Sequence, residues 1–149
     1  MGRQQVVTVE PQRKILIVDD DVMNIVVFQA LLGEMHQRSD KALDGKQALQ
    51  LVQERIERVR AGEQGVSMYS LLLVDYNMPE IDGPKFARLV TRLLAEAGIA
   101  IPYICCCSAY AEDSFKRSAI AAGMDCFLTK PVSNEELRLL LIKAGLRRE

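Results

Sequence analysis

Residues 14–21 read KILIVDDD: an unbroken apolar run, Ile15 to Val18, cut off by Asp19, Asp20 and Asp21. Four aliphatic residues in succession, with no polar alternation, suit a strand covered on both faces, as central strands of parallel sheets are. The acids that stop it also suit a helix start, and the next segment, Val22 to Met35, has a helical pattern with Asp20 or Asp21 placed as its N-cap.

The same order of apolar run, polar stop and helix recurs outward along the chain. Gln37 to Ala42 reads as a weak, polar strand suited to a sheet edge. After the Asp44-Gly45 turn, Lys46 to Arg60 is helical, with Ala48, Leu49, Val52, Ile56 and Val59 on one face. The arginines of that helix, Arg55, Arg58 and Arg60, are mixed with glutamates and read as a solvated face. Ala61 to Ser67, with two glycines, is a loop, and Tyr69 to Val74 is a second buried strand that runs into Asp75. A turn-rich stretch, Asn77 to Gly83, leads to a helix over Pro84 to Ala97, the proline fitting the first turn; Asp82 there reads as turn chemistry and not as a ligand. Ile101 to Cys107 is a further strand ending at Ser108, followed by a helix over Glu112 to Ala122 that Gly123 stops. Asp125 to Thr129 is the last strand, running into Lys130-Pro131, and Ser133 with Glu136 forms a capping box for a helix over Asn134 to Ala144. Alternating β and α units of this kind predict an α/β fold with a parallel sheet.

The chain of 149 residues, 49% of them apolar, has room for one domain and one real core. Residues 13–145 carry the pattern, between tails at 1–12 and 146–149, with no internal repeat or second domain. The formal net charge of −1, with acids and bases interspersed, gives no pull toward nucleic acid or an anionic membrane. No apolar run approaches the roughly 20 residues of a membrane helix, and Met1 to Gln12 lacks the apolar core of a signal peptide. Cys105, Cys106 and Cys107 are consecutive in a strand, so they point to alternate faces and cannot converge on one metal. With Cys126 they read as reduced, buried small hydrophobes, and a cytoplasmic location is expected. The one histidine, His36, reads as a surface residue.

What ends each strand carries the chemistry. Asp19 and Asp20, Asp75, Ser108 and Lys130 each follow a strand, and in an open parallel sheet ligands bind outside the carboxyl ends of the strands. Carboxylates gathered there repel, and a hard divalent cation with oxygen ligands compensates them. An aspartate nucleophile, a cation, a lysine and a hydroxyl are the parts that phosphoryl transfer uses.

The motifs KILIVDDD (14–21), LLLVDYNMPEIDG (71–83), CSAY (107–110) and FLTKPVS (127–133), in this order, resemble the receiver (response-regulator) family across residues 13–145. The resemblance implies a flavodoxin-like, doubly wound five-stranded parallel sheet of order 2-1-3-4-5 with five helices. It implies that Asp75 is the phosphoacceptor, and that Mg²⁺ (or Mn²⁺) is bound by Asp20 and Asp75, by Asp19 directly or through water, and by the backbone carbonyl of Asn77. Ser108 and Lys130 would hold the phosphoryl oxygens, and Phe127 occupies the family's aromatic switch position, moving with Ser108. The implied donor is a histidine kinase or a histidine-containing phosphotransfer protein, and the family allows a phosphorylation-dependent dimer. Such a module catalyses its own phosphorylation and dephosphorylation and is otherwise not an enzyme. Asn24 and MDCFLTKPVSNEEL (124–137) are most similar to receivers of hybrid sensor histidine kinases. The cysteine triplet, the bulky Tyr110 two residues after Ser108, and a long loop before the third strand depart from the family pattern.

Two other readings share the residues. Asp19-Asp20-Asp21-Val22 also fits the D-x-D-x-[TV] pattern of haloacid-dehalogenase-like phosphatases, with Asp19 as nucleophile and Asp21 as acid/base, although the chain has no evident cap segment. A non-phosphorylated pseudo-receiver scaffold is the third reading, and the complete acceptor set opposes it.

Overall fold

In a computed structural model that describes residues 12–148, the apolar runs form five parallel strands joined by helices. The elements are β1 (Ile15–Val18), α1 (Val22–Glu34), β2 (Ser39–Ala42), α2 (Gly45–Arg60), β3 (Leu71–Asp75), α3 (Gly83–Glu96), β4 (Tyr103–Ser108), α4 (Asp113–Ala121), β5 (Cys126–Thr129) and α5 (Asn134–Lys143). The sheet order is β2-β1-β3-β4-β5, the expected 2-1-3-4-5 arrangement with the polar β2 at one edge. The expected tail at 1–12 falls, except for Gln12, outside the described residues.

Strand alternation divides the core into two layers. Leu16, Val18, Leu72, Val74, Ile104 and Cys106 face one way, against Ala48, Val52 and Ile56 of α2, Phe86, Val90 and Leu94 of α3, and Ala119 of α4. Ile15, Ile17, Leu71, Leu73, Cys105 and Cys107 face the other, against Ile25, Phe28 and Leu32 of α1 and Leu137, Leu140 and Leu141 of α5. Every residue of β1 is fully buried, as its unbroken apolar run requires. Each such side chain contributes roughly 1.5–3 kcal/mol of transfer free energy, so the two layers dominate the fold.

Local chemistry sets the helix starts. Asp21, not Asp20, caps α1, its Oδ1 accepting from the Met23 N–H at 2.9 Å. Asp44 caps α2 and Asp82 caps α3, accepting from Gln47 and Lys85 at 2.7 and 2.8 Å. Ser133 and Glu136 close the expected capping box on α5. Strand β4 begins at Tyr103 and not at Ile101, because Pro102 has no N–H to give a ladder. Tyr69 and Ser70 precede β3, the Tyr69 side chain being turned toward Asp40 on β2.

One expectation is overturned. Arg58 and Arg60 lie outward, Arg58 paired with Glu63, but Arg55 is buried. Its guanidinium donates to the carbonyls of Arg13 and Ser67 at 2.9 and 3.2 Å and to Asp40 Oδ2 at 3.1 Å, and lies 4.0 Å over the Tyr69 ring. The Tyr69 hydroxyl donates to the same Asp40 oxygen at 2.6 Å. The loop between α2 and β3 is long enough to fold back over this cation and satisfy it. A charge can be buried when each of its donors finds an acceptor.

Candidate functional site

All five strands run the same way, so their carboxyl ends share one rim, and β1 and β3, the neighbours at which the winding reverses, open a crevice there. Asp19 follows β1, held at its backbone by a hydrogen bond from its N–H to the Ala42 carbonyl of β2. Asp75 ends β3, in register with Cys107. Lys130 follows β5, and its N–H donates to the Ser108 carbonyl at 2.7 Å, which ties the ends of β4 and β5 together. A cavity of about 580 Å³ holds Asp19, Asp20, Asp75, Asn77 and Lys130 in its wall.

Lys130 Nζ bridges two acids, donating to Asp19 Oδ2 at 2.7 Å and to Asp75 Oδ1 at 3.1 Å. These side chains are 15%, 2% and 12% exposed, so the pairs sit in a poorly hydrated place. The other Asp19 oxygen accepts from the Asp21 N–H at 2.9 Å. Burial pushes the Asp75 carboxyl up to about 6; Lys130 opposes the rise, while the charges of Asp19 and Asp20 add to it. Burial draws the Lys130 ammonium down, but its hydrogen bond to Asp19 and the charges of Asp75 and Asp19 outweigh it, and the net shift is upward.

Asp19, Asp20 and Asp75 each offer an oxygen within 4.8 Å of the others. Asp20 is exposed and makes no hydrogen bond or ion pair among the described residues. One ammonium facing three carboxylates leaves an excess of negative charge, and every donor is a hard oxygen. This donor set fits a small divalent cation of the Mg²⁺ kind.

Other expected residues sit differently. Ser108 is fully buried at the end of β4, and its Oγ accepts from the Tyr110 N–H at 3.0 Å; it is not in the wall of the acidic cavity. Phe127 is half-buried on β5 and packs against the α2–α3–α4 layer beside its register partner Cys106. Asp21 caps α1, which occupies the carboxylate that a phosphatase reading would use as acid/base.

Three features escaped the sequence reading. Gly83 is one: a Cβ there would come within 2.6 Å of the Asp75 carbonyl oxygen, and its N–H donates to the Tyr76 carbonyl at 2.8 Å, so the start of α3 is pressed against the end of β3 and the loop that follows it. A second is an aromatic group, Phe115 of α4 meeting Tyr76 edge-on at 4.8 Å and stacking with Tyr110 at 5.6 Å. The third is α1 itself, whose Val22, Met23, Val26 and Val27 are each more than half exposed, Val27 continuing with Phe28 and Leu31 into the wall of the cavity. The signal for it was present in VMNIVVF, a helix too apolar for one buried stripe.

Comparison with known proteins agrees with this geometry. The family model for the response regulator receiver domain matches residues 15–142. The osmosensing histidine protein kinase SLN1 of Saccharomyces cerevisiae is 30% identical over 133 residues, covering 89% of this chain and 10% of that protein. The sensor protein GacS of Pseudomonas syringae is 29% identical over 130 residues, covering 87% of this chain and 13% of its own. The chain thus spans about a tenth of the length of these curated relatives. The receiver domain of the histidine kinase CKI1 from Arabidopsis thaliana, solved with Mg²⁺ and BeF₃⁻, superposes with a TM-score of 0.76 at 27% identity, over 91% of each chain. With this fold, this strand-end constellation and a match over nearly the whole length, the chain belongs to the response regulator receiver domains of two-component phosphorelay signalling.

Proposed function

We infer that Asp75 is the phosphoacceptor of this receiver, taking its phosphoryl group from a phosphohistidine on a histidine kinase or histidine-containing phosphotransfer protein. The observation that carries the reading is the bridging of Lys130 Nζ between Asp19 and Asp75, beside a third carboxylate with no protein partner of its own among the described residues. A carboxylate oxygen of Asp75 attacks phosphorus; the new P–O bond forms as the P–N bond breaks, and the electron pair leaves on the imidazole nitrogen. Mg²⁺ (or Mn²⁺), held by Asp19, Asp20, Asp75 and the Asn77 carbonyl, would supply the charge neutralisation that lets three acids and a phosphoryl group share one pocket. Lys130, already within 3.1 Å of Asp75, meets the negative charge that develops on the transferred group.

Once formed, the aspartyl phosphate adds roughly −1 charge to the pocket beyond the carboxylate it replaces. Ser108 is the nearby hydroxyl on β4; its Oγ accepts from the Tyr110 N–H and keeps its own proton, which a turn of the side chain toward the pocket would bring to a phosphoryl oxygen. Phe127, half-buried on the adjacent strand, is the side chain placed to follow, which would reshape the surface of β4, β5 and α4 for a partner or a second copy. Of the exposed apolar residues of α1, Val27 rims the same cavity and Val22, Met23 and Val26 lie outside its wall on the same helix, a surface placed to receive the histidine-bearing donor.

The test is incubation with acetyl phosphate and Mg²⁺ followed by intact-mass measurement. The wild-type chain gains the mass of one phosphoryl group, Asp75→Asn does not, and EDTA abolishes the gain. Loading that persists in Asp75→Asn and disappears in Asp19→Asn would transfer the nucleophile's role to Asp19.

A further inference from the structure

The parallel register of β4 and β5 sets Cys105 directly beside Cys126. Cys105 and Cys107 face the layer beneath α1 and α5, Cys126 packs against that same layer, and Cys106 faces the opposite one. Neighbouring strands stand about 4.8 Å apart, within the roughly 4.4–6.8 Å between Cα atoms that a disulfide spans. Cys107 is a poorer partner for Cys105: two residues along one strand is about 6.6 Å with parallel Cβ directions, and its neighbour across the ladder is Leu128. Cys126 is therefore the thiol best placed to bond with Cys105.

The two thiols are chemically unequal. Cys105 is fully buried, its thiol donating to the Cys106 carbonyl at 3.7 Å, and the neighbouring Cys107 and Cys126 thiols together with burial push it up. Cys126 is only half-buried. The neighbouring Cys105 holds the Cys126 thiol below the ordinary value, with help, against burial, from the Lys143 ammonium and the Tyr103 hydroxyl. Tyr103 and Lys143 also line an open cleft of about 850 Å³ at the amino-terminal edge of the sheet, together with Asp125, the residue before Cys126.

We propose that Cys126 and Cys105 are a peroxide-sensitive thiol pair that closes to an intramolecular disulfide across β4 and β5. The Cys126 thiolate attacks one oxygen of hydrogen peroxide, the O–O bond breaks, and Cys126 becomes a sulfenic acid while hydroxide leaves and takes up the thiol's proton as water. The Cys105 sulfur then displaces the hydroxyl from the Cys126 sulfur, and that hydroxyl departs as a second water with the Cys105 proton. Two thiols are oxidised and one peroxide is reduced to two waters. The bond joins the two strands that end, on the opposite rim, at Ser108 and before Lys130. It is a modification site separate from the acidic pocket and does not depend on which aspartate accepts phosphate.

The experiment treats the purified chain with hydrogen peroxide near neutral pH, quenches it, alkylates free thiols in denaturant and measures intact mass and fragment spectra. The expected product has lost two hydrogens and keeps two of its four cysteines alkylatable. Closure should persist in Cys106→Ser and Cys107→Ser. In Cys105→Ala it should stop, with Cys126 now trapped as a dimedone adduct, and Cys126→Ser should give neither product. Four alkylatable thiols in the peroxide-treated wild type, or closure that survives Cys105→Ala or Cys126→Ser, would overturn the proposal. The wild-type result stands whether or not any variant folds.

Discussion

At the pocket floor, Asp75 is a carboxylate whose ionisation the fold resists, because burial outweighs the help from Lys130. Its folded-state pKa of about 6 lies above the ordinary value of 3.8, so the charged form costs stability above that pH, and the cost fades as pH falls toward the ordinary value. In EDTA near pH 7.5, Asp75→Asn is expected to be more stable than wild type by up to about 3 kcal/mol, with the difference closing below about pH 4 as Asp75 becomes neutral in the folded and unfolded chain alike. Thermal melts across pH check this. Mg²⁺ should then raise the wild-type melting temperature and leave Asp75→Asn nearly unmoved, since ligand binding stabilises only a fold that keeps the site.

Between elements, α3 presses at Gly83 on the end of β3 and the loop that follows Asp75. Gly83→Ala places a Cβ 2.6 Å from the Asp75 carbonyl oxygen, with the Tyr76 Cα at 3.0 Å, and neither backbone atom can yield as a side chain would. The expected cost is about 1–3 kcal/mol by urea denaturation, with slower phosphorylation by acetyl phosphate. Gly33→Ala is the contrasting case: nothing lies within 4 Å of a Cβ there, so this helix position should gain about 0.5–1 kcal/mol and leave phosphorylation unchanged. The element pattern was legible in advance because apolar runs, aspartate caps and the Ser133–Glu136 box each announce themselves locally. The gathering of Asp19, Asp20, Asp75 and Lys130 was legible for a different reason: a parallel sheet delivers every strand's carboxyl end to one rim. Arg55 was not, because its acceptors come from Arg13, Asp40 and the Ser67 carbonyl, which only the folded chain brings together. The direction of the Ser108 hydroxyl was equally hidden, being decided by a turn N–H two residues away.

For the whole molecule, charge and apolar surface divide the work. The proposed chemistry belongs to the acidic pocket, while α1 beside it exposes Val22, Met23, Val26 and Val27 together, and a cluster of exposed apolar residues is the kind of surface that binds partners. Val26 is 51% exposed on that face and outside the pocket wall, so Val26→Asp should leave loading by acetyl phosphate unchanged. Transfer from a phosphorylated histidine-containing protein should fall by about tenfold or more, the effect of losing a central apolar anchor. Equal loss from both donors would place the effect of Val26 in folding and not in docking. No helix among the described residues is long and apolar enough to cross a membrane.

The position of the acyl phosphate can be read directly. Reduction of the phosphorylated chain with borohydride converts an aspartyl phosphate to homoserine, which peptide mass spectrometry then locates. Homoserine at position 75, and only after treatment with phosphodonor and Mg²⁺, is the expected result. Homoserine at position 19, 20 or 82 with aspartate intact at 75 would contradict it.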